Sequence, residues 1–230
     1  MKRLIRVGSR ESALALSQSE WVINELKSLQ KDLEFEVVKI KTKGDMVLDR
    51  RLDKVGGKGL FIKELEQALI TGIVDMAVHS MKDMPSDMPE ELVIAALSKR
   101  EDPRDVLVTL EGVSFETLKK GAVIGTSSAR REAQLLLKRP DIKLKTLRGN
   151  VLTRLNRLDS EEYDALVLAA AGLKRLGLEE KCVQYFGVQD VIPAVGQGVL
   201  CIQARKDSDL LPLLKKLNDV EAELCVAAER

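Results

Sequence analysis

Six arginines stand just beyond short apolar runs of the chain. Arg10 follows Leu4–Gly8, and Arg130 and Arg131 come shortly after a run that ends at Gly125. Arg148 follows Lys143–Leu147, Arg154 lies one to two helical turns on, and Arg175 follows Ala165–Leu173. If the runs are strands of an open α/β sheet, these are the strand ends where such sheets bind ligands. A guanidinium is always charged and forks onto carboxylate or phosphate. Thr126, Ser127 and Ser128 add hydroxyls beside the start of a helix, a second device for holding anions. Together they point to a ligand with several anionic groups. Taken singly, each arginine also reads as a solvated surface charge; recurrence after strands favours the common ligand.

A carboxylate stands apart from this cationic set. His79-Ser80-Met81-Lys82-Asp83 follows the short apolar run Asp75–Val78, so Asp83 lies beside Lys82 at another strand end. There it would stabilise a developing cation or transfer a proton. Cationic surroundings suit the first task better. The alternative is a turn or cap aspartate ahead of Pro85. The glycine-bearing stretch Lys54–Phe61 is not a phosphate loop. Leu52 stands where the first Walker glycine belongs, and Gly59 where a Ser or Thr belongs. Ile62 breaks the Rossmann glycine pattern too. The stretch reads as a glycine hinge carrying Lys54 and Lys58, suited to gating a cleft, or as a plain loop.

The elements that must position these residues alternate. Leu4–Gly8, Phe35–Ile40, Asp75–Val78 and Leu92–Leu97 are expected strands. Ala122–Gly125, Lys143–Leu147, Ala165–Ala169 and Val199–Ala204 continue the series. Helices are expected from Ser12, a plausible N-cap, and over Leu60–Leu69, Ser128–Lys138, Val151–Leu158 and Leu210–Leu217. Thr42–Lys58 is expected to be an exposed loop. Such alternation predicts mostly parallel sheets covered by helices. The charge-dense stretch Lys99–Asp105 and the Pro/Gly-rich stretch Pro193–Gly198 read as two crossings between domains. The chain would build 1–98, leave to build 99–198, return for 199–219, and start a further helix at 220–230. A ligand cleft between the two domains is expected.

Composition narrows the function. Lys and Arg number 37 against 36 Asp and Glu, a formal charge of +1, which disfavours a general nucleic-acid binder. Aromatics are only 3%, too few for base-stacking platforms. No apolar segment follows the N-terminal charges, and no run is long enough to span a membrane, so a cytoplasmic protein is expected. Cys182, Cys201 and Cys225 form no Cys-x-x-Cys pair, and His79 is the single histidine. A zinc site and a histidine-based triad are therefore disfavoured, and reduced thiols are expected.

The motifs occur in a specific order along the whole chain. They are Gly8-Ser9-Arg10-Glu11-Ser12-Ala13-Leu14-Ala15, Lys54-Val55-Gly56-Gly57-Lys58-Gly59-Leu60-Phe61 and Val78-His79-Ser80-Met81-Lys82-Asp83. Then come Arg100-Glu101-Asp102-Pro103-Arg104-Asp105, Gly125-Thr126-Ser127-Ser128-Ala129-Arg130-Arg131 and Leu147-Arg148-Gly149-Asn150-Val151. Ala171-Gly172-Leu173-Lys174-Arg175-Leu176 and Pro193-Ala194-Val195-Gly196-Gln197-Gly198 complete the set. In this the chain resembles the porphobilinogen deaminase (hydroxymethylbilane synthase) family.

The resemblance implies two domains like those of periplasmic binding proteins, plus a third, smaller one. It implies head-to-tail joining of four porphobilinogen units into hydroxymethylbilane, with release of ammonia, in tetrapyrrole and haem synthesis. It makes Asp83, with Lys82, the catalytic pair. Arg10, Ser12, Ser80, Thr126, Ser128, Arg130, Arg131, Arg148, Arg154 and Arg175 would hold the carboxylates of cofactor and substrate. Lys54, Lys58 and Phe61 would belong to an active-site loop. The implied cofactor is dipyrromethane, thioether-linked in the family to the cysteine of a Gly-Gly-Cys loop in the third domain. No Gly-Gly-Cys occurs here, so no cysteine of this chain is assigned that role, and no metal is implied. The expectation is a form lacking the third domain and inactive alone. The implied partners are porphobilinogen and linear polypyrrole intermediates, met by a monomer with no nucleic-acid or membrane contact. A non-catalytic two-domain anion-binding protein is the alternative.

Overall fold

The computed structural model describes residues 3–42, 62–158, 160 and 162–230. Its strands are β1 Arg3–Ser9, β2 Leu33–Lys39, β3 Met76–Ser80, β4 Leu92–Leu97 and β5 Asp105–Val108. They continue as β6 Val123–Gly125, β7 Lys143–Lys145, β8 Ala165–Ala169, β9 Gln184–Tyr185 and β10 Leu200–Arg205. The described residues fall into two compact units, one of 3–42, 62–101 and 199–230, the other of 102–198.

The first unit holds a five-stranded sheet in the order β2-β1-β3-β10-β4. Strand β1 is parallel to β2 and to β3, while β10 is antiparallel to β3 and β4. Ser12 caps the helix Ala13–Leu29 by accepting from the Ala15 amide at 3.2 Å. Val22, Ile23 and Leu26 of that helix pack on Ile5, Val7, Met76 and Val78 of one sheet face. The helix Lys63–Ile70 covers the other face, with Leu65 and Leu69 against Ala77 and Leu92. Side chains alternate along a strand, so Met76 and Val78 face the first helix while Ala77 and His79 face the second.

The second unit repeats the plan, in the order β7-β6-β8-β5-β9. Strand β6 is parallel to β7 and β8, and β5 is antiparallel to β8 and β9. Ala165 and Val167 of β8 enter one core with Leu107, Ile124 and Leu135. Leu166 and Leu168 enter another with Val106, Val108 and Leu147. A strand buried on both faces needs an unbroken apolar run, which is why Ala165–Ala169 shows no alternation.

The expectation of mostly parallel sheets holds for direction and needs correcting for pairing. In each sheet four strands run one way and one is reversed, so half the neighbour pairs are antiparallel. The reversed strands are β5 and β10, each the first after a stretch read as a crossing. A parallel neighbour requires a crossover helix to bring the chain back. These two strands enter without one. The loop expected over Thr42–Lys58 lies outside the described residues from position 43 on, and Thr42 itself is buried rather than exposed.

Candidate functional site

In the first unit the candidate residues gather at the ends of β1 and β3. Arg10 follows β1 and is half-buried. Ser12 is engaged as the helix cap. Ser80 ends β3, where its Oγ accepts from Gln18 Nε2 at 3.1 Å, tying the strand to the helix Ala13–Leu29. A single 3-10 turn, Met81–Asp83, follows. Met81 and Met84 are buried among Leu97, Val199, Cys201 and Val226. The Met81 amide also donates to the Val199 carbonyl at 2.9 Å. With an apolar anchor on either side, the turn presents the intervening Lys82 and Asp83 to solvent, and both are exposed. Packing of the two methionines fixes where so short a tether carries its charged pair.

Behind the turn lies a polar chain that the sequence reading did not assign. Gln203 Nε2 donates to Glu66 Oε1 at 3.1 Å, which leaves Gln203 Oε1 to face His79 Nε2 at 3.0 Å. The histidine Nε2 therefore carries the proton and donates. Burial pushes the His79 pKa down to about 4, against the pull of the Gln203 bond and with help from the Arg10 charge. The ring is neutral and structural at ordinary pH. Sheet pairing shifts register between Ile202 and Gln203, and such an irregularity re-aims a side chain.

In the second unit β6 ends at Gly125, where a Cβ would lie 2.7 Å from Leu166 Cδ2 and 2.9 Å from Tyr163 Cδ1. Only glycine lets the chain turn there into Thr126-Ser127-Ser128. The three hydroxyls all have local bonds. Thr126 Oγ1 accepts from the Ser128 amide at 3.2 Å, and Ser128 Oγ accepts from the Arg131 amide at 3.4 Å as cap of the helix Ala129–Lys138. Ser127 Oγ donates to the Leu147 carbonyl. Thr126 and Ser128 act only as acceptors in these bonds, so their hydroxyl protons remain available to an anion.

That helix brings Arg130 and Arg131 onto one carboxylate, Asp105. Arg130 Nη2 donates to Asp105 Oδ2 and Arg131 Nη2 to Oδ1, each at 2.7 Å. Arg131 Nη1 also reaches the Val167 carbonyl at 2.9 Å, and Arg130 Nη1 the Ile192 carbonyl. Gln197 Nε2 adds a bond to Asp105 Oδ1 at 2.9 Å. Burial alone would raise the Asp105 pKa; the charges of Arg131 and Arg130 and the bonds from Arg131 and Gln197 outweigh it and hold the carboxyl low. Both arginines thus have an internal partner that the sequence reading lacked. Asp105 and Gln197 sit inside the quoted motifs; the short apolar run Val106-Leu107-Val108 marks the strand, but no local signal marks Asp105 as the partner of these arginines.

Arg148 is buried just beyond β7. Gly149, at φ +108°, turns the chain into the helix Val151–Leu158, and Arg154 Nε closes back on the Gly149 carbonyl at 2.8 Å. Arg175 follows β8 and its short helix, with Nη2 on the Gly198 carbonyl at 2.7 Å. Lys54, Lys58 and Phe61 lie outside the described residues. Among the described residues no cluster of three or more His, Cys, Asp or Glu side chains is placed to hold a metal ion. No described helix is long and apolar enough to cross a membrane.

Each of the two α/β units carries guanidinium and hydroxyl donors at its strand ends, and the fold is of the periplasmic-binding-protein kind. Solved structures of that kind share the fold. The methionine-binding protein MetQ aligns with a TM-score of 0.59 at 14% identity, over 97% of this chain and 94% of its own. A putative methionine-binding lipoprotein from Bacillus subtilis aligns at 0.57 and 14%, over 96% and 92%. Sequence comparison is far more specific. A family profile described as porphobilinogen deaminase, dipyromethane cofactor binding domain, matches residues 5–212. The porphobilinogen deaminase of Alkaliphilus metalliredigens is 54% identical over 229 residues, covering 99% of this chain and 72% of that protein. That of Bacillus subtilis is 52% identical over 232 residues, covering 100% of this chain and 74% of that protein. The chain belongs to the porphobilinogen deaminase family.

The donor set fits a dipyrromethane, whose pyrroles carry acetate and propionate groups. It consists of guanidinium, ammonium and hydroxyl donors. Arg131 Nε is in addition a buried donor with no hydrogen-bond partner among the described residues. Carboxylates are the groups such donors recognise.

Proposed function

We propose that this chain carries the site at which four porphobilinogen molecules are joined head to tail into hydroxymethylbilane, one ammonia leaving per unit, and that it works as a monomer in the cytoplasm. The observation that carries this reading is the exposed Asp83 carboxylate on a packed turn at the end of β3, in a chain of this family.

A bound dipyrromethane supplies the terminal pyrrole carbon to which a unit is joined. The chain's own residues do the rest. Arg10, Arg130, Arg131, Arg148, Arg154 and Arg175 hold acetate and propionate groups, with Ser12, Ser80, Thr126 and Ser128 as neutral donors. Lys82 adds charge beside Asp83. Loss of ammonia from a porphobilinogen leaves positive charge shared with its pyrrole nitrogen. Asp83 stabilises that charge until the carbon–carbon bond has formed and the ring has lost its proton. At ~4 Å and an effective dielectric constant of ~20, such an ion pair contributes about 4 kcal/mol, or about 10³-fold in rate.

The test is porphobilinogen consumption and ammonia release by the cofactor-loaded protein. Asp83→Ala is expected to lower both about 10³-fold and, being exposed, to leave folding stability within about 0.5 kcal/mol. Unchanged turnover would remove Asp83 from this role. Saturable binding with no ammonia release by the cofactor-loaded protein, assayed at the full length of its relatives, would favour the non-catalytic anion binder.

A further inference from the structure

The Asp105 cluster holds more positive charge than its carboxylate can balance. Asp105 has no solvent exposure, and both its oxygens are taken by charged partners. A buried carboxylate needs one counter-charge. Here it has two guanidinium groups, so the three groups together keep one positive charge. An uncompensated cation in a protein interior is costly unless something anionic completes it.

The two arginines are not equivalent. The Arg131 side chain is only 8% exposed and is braced between Asp105 and the Val167 carbonyl, like a strut. Arg130 is held likewise, between Asp105 and the Ile192 carbonyl, but its side chain is 25% exposed and stands in the first turn of the helix Ala129–Lys138, behind the Ser128 cap. The positive end of a helix dipole favours an anion at that same turn. Arg130 is therefore the more accessible of the two to a ligand, and Asp105 helps fix where its guanidinium lies.

We propose that Asp105 is a positioning residue: by gripping Arg130 and Arg131 on its two oxygens, it aims Arg130 at a ligand carboxylate while leaving the cluster a single net positive charge. This deepens the functional reading above and rests on it. Gln197, bonded to Asp105 Oδ1 and to the Pro103 carbonyl at 2.6 Å, steadies the carboxylate in turn.

Charge and position make opposite forecasts for Asp105→Asn, which is what makes the proposal testable. The variant raises the cluster from one net positive charge to two, so charge alone would tighten anion binding. Loss of the grip on Arg130 would weaken it. The experiment is titration calorimetry of the 230-residue chain with a dipyrromethane bearing acetate and propionate groups, alongside thermal melting. Asp105→Asn is expected to weaken binding about tenfold, the effect of one lost charge-assisted hydrogen bond. In an Arg130→Gln background the same change should have almost no further effect. Asp105→Asn binding as tightly as the unaltered chain, or more tightly, overturns the proposal, and so does full additivity with Arg130→Gln. If Asp105→Asn melts below the assay temperature, Gln197→Leu replaces it, with a loss of about threefold expected, again only while Arg130 is present. Absence of binding to the unaltered chain is a different result, and overturns the functional reading itself.

Discussion

His79 offers the sharpest test of the structure, because it is the one histidine in the chain and its charge can be switched by pH. Its ring is buried and neutral, donates from Nε2 to Gln203, and has its pKa lowered from 6.5 to about 4. Above pH 6.5 the ring is neutral in both folded and unfolded chains, and its contribution to stability is complete. Between 6.5 and about 4 the unfolded chain takes up a proton that the folded chain refuses, so stability falls as pH falls. Below about 4 the loss is complete. At 1.36 kcal/mol per tenfold change in proton affinity, the interval corresponds to about 3 kcal/mol. The assay is urea unfolding at steps between pH 7 and pH 4, on the unaltered chain and on His79→Gln. Carboxylates titrate in part of that range in both proteins, so the difference between the two curves isolates the histidine. The unaltered chain should lose about 3 kcal/mol more than His79→Gln over that range. The ring proton resonances, unambiguous in a chain with one histidine, should stay put until the pH nears 4. Parallel unfolding curves, or a ring that titrates near 6.5, would refute the buried neutral assignment.

Two further outcomes follow from packing. Gly125→Ala places a methyl group against Leu166, Tyr163 and Leu147, and overpacking of this kind should cost about 1–3 kcal/mol in urea unfolding; a neutral result would mean that the turn after β6 is looser than described. Cys201 is fully buried with its thiol pushed up to about 12, while Cys225 is exposed, so a thiol reagent should label Cys225 at once and Cys201 only on unfolding; equal labelling rates in the folded chain would contradict the packing of β10.

The readable parts of the sequence were those where one physical signal dominated. Leu92–Leu97 and Ala165–Ala169 are unbroken apolar runs that each follow an acidic residue, and both are strands over those same residues. Val151–Leu158 shows helical spacing and is a helix over that range. Strand β5 was missed for the opposite reason. It has four residues and begins with an aspartate at the end of a charge-dense stretch. Read locally, such a stretch is surface. Only the arrival of Arg130, Arg131 and Gln197, far along the chain, turns Asp105 into an interior residue. Charge compensation at that range leaves no periodic trace. Strand β9, two residues long, carries no signal of its own.

The same distinction runs through the candidate site residues. The place of Asp83 just after an apolar run was legible, whereas what holds its turn was not: Met81 and Met84 pack among Leu97, Val199, Cys201 and Val226, and the Met81 amide donates to the Val199 carbonyl. The arginines were legible in type and place but not in partnership. A guanidinium has five donors, and a sequence cannot say how many the protein itself uses. Arg131 gives its two terminal nitrogens to Asp105 and Val167, which makes it a brace as much as a ligand group. A cationic site built from several arginines must resist its own repulsion before any ligand arrives. A buried carboxylate beneath two of them does so at short range, where net charge over the whole chain has no say. The near-zero total charge and the positive local cluster are therefore compatible, because the first counts residues and the second depends on which of them share a carboxylate.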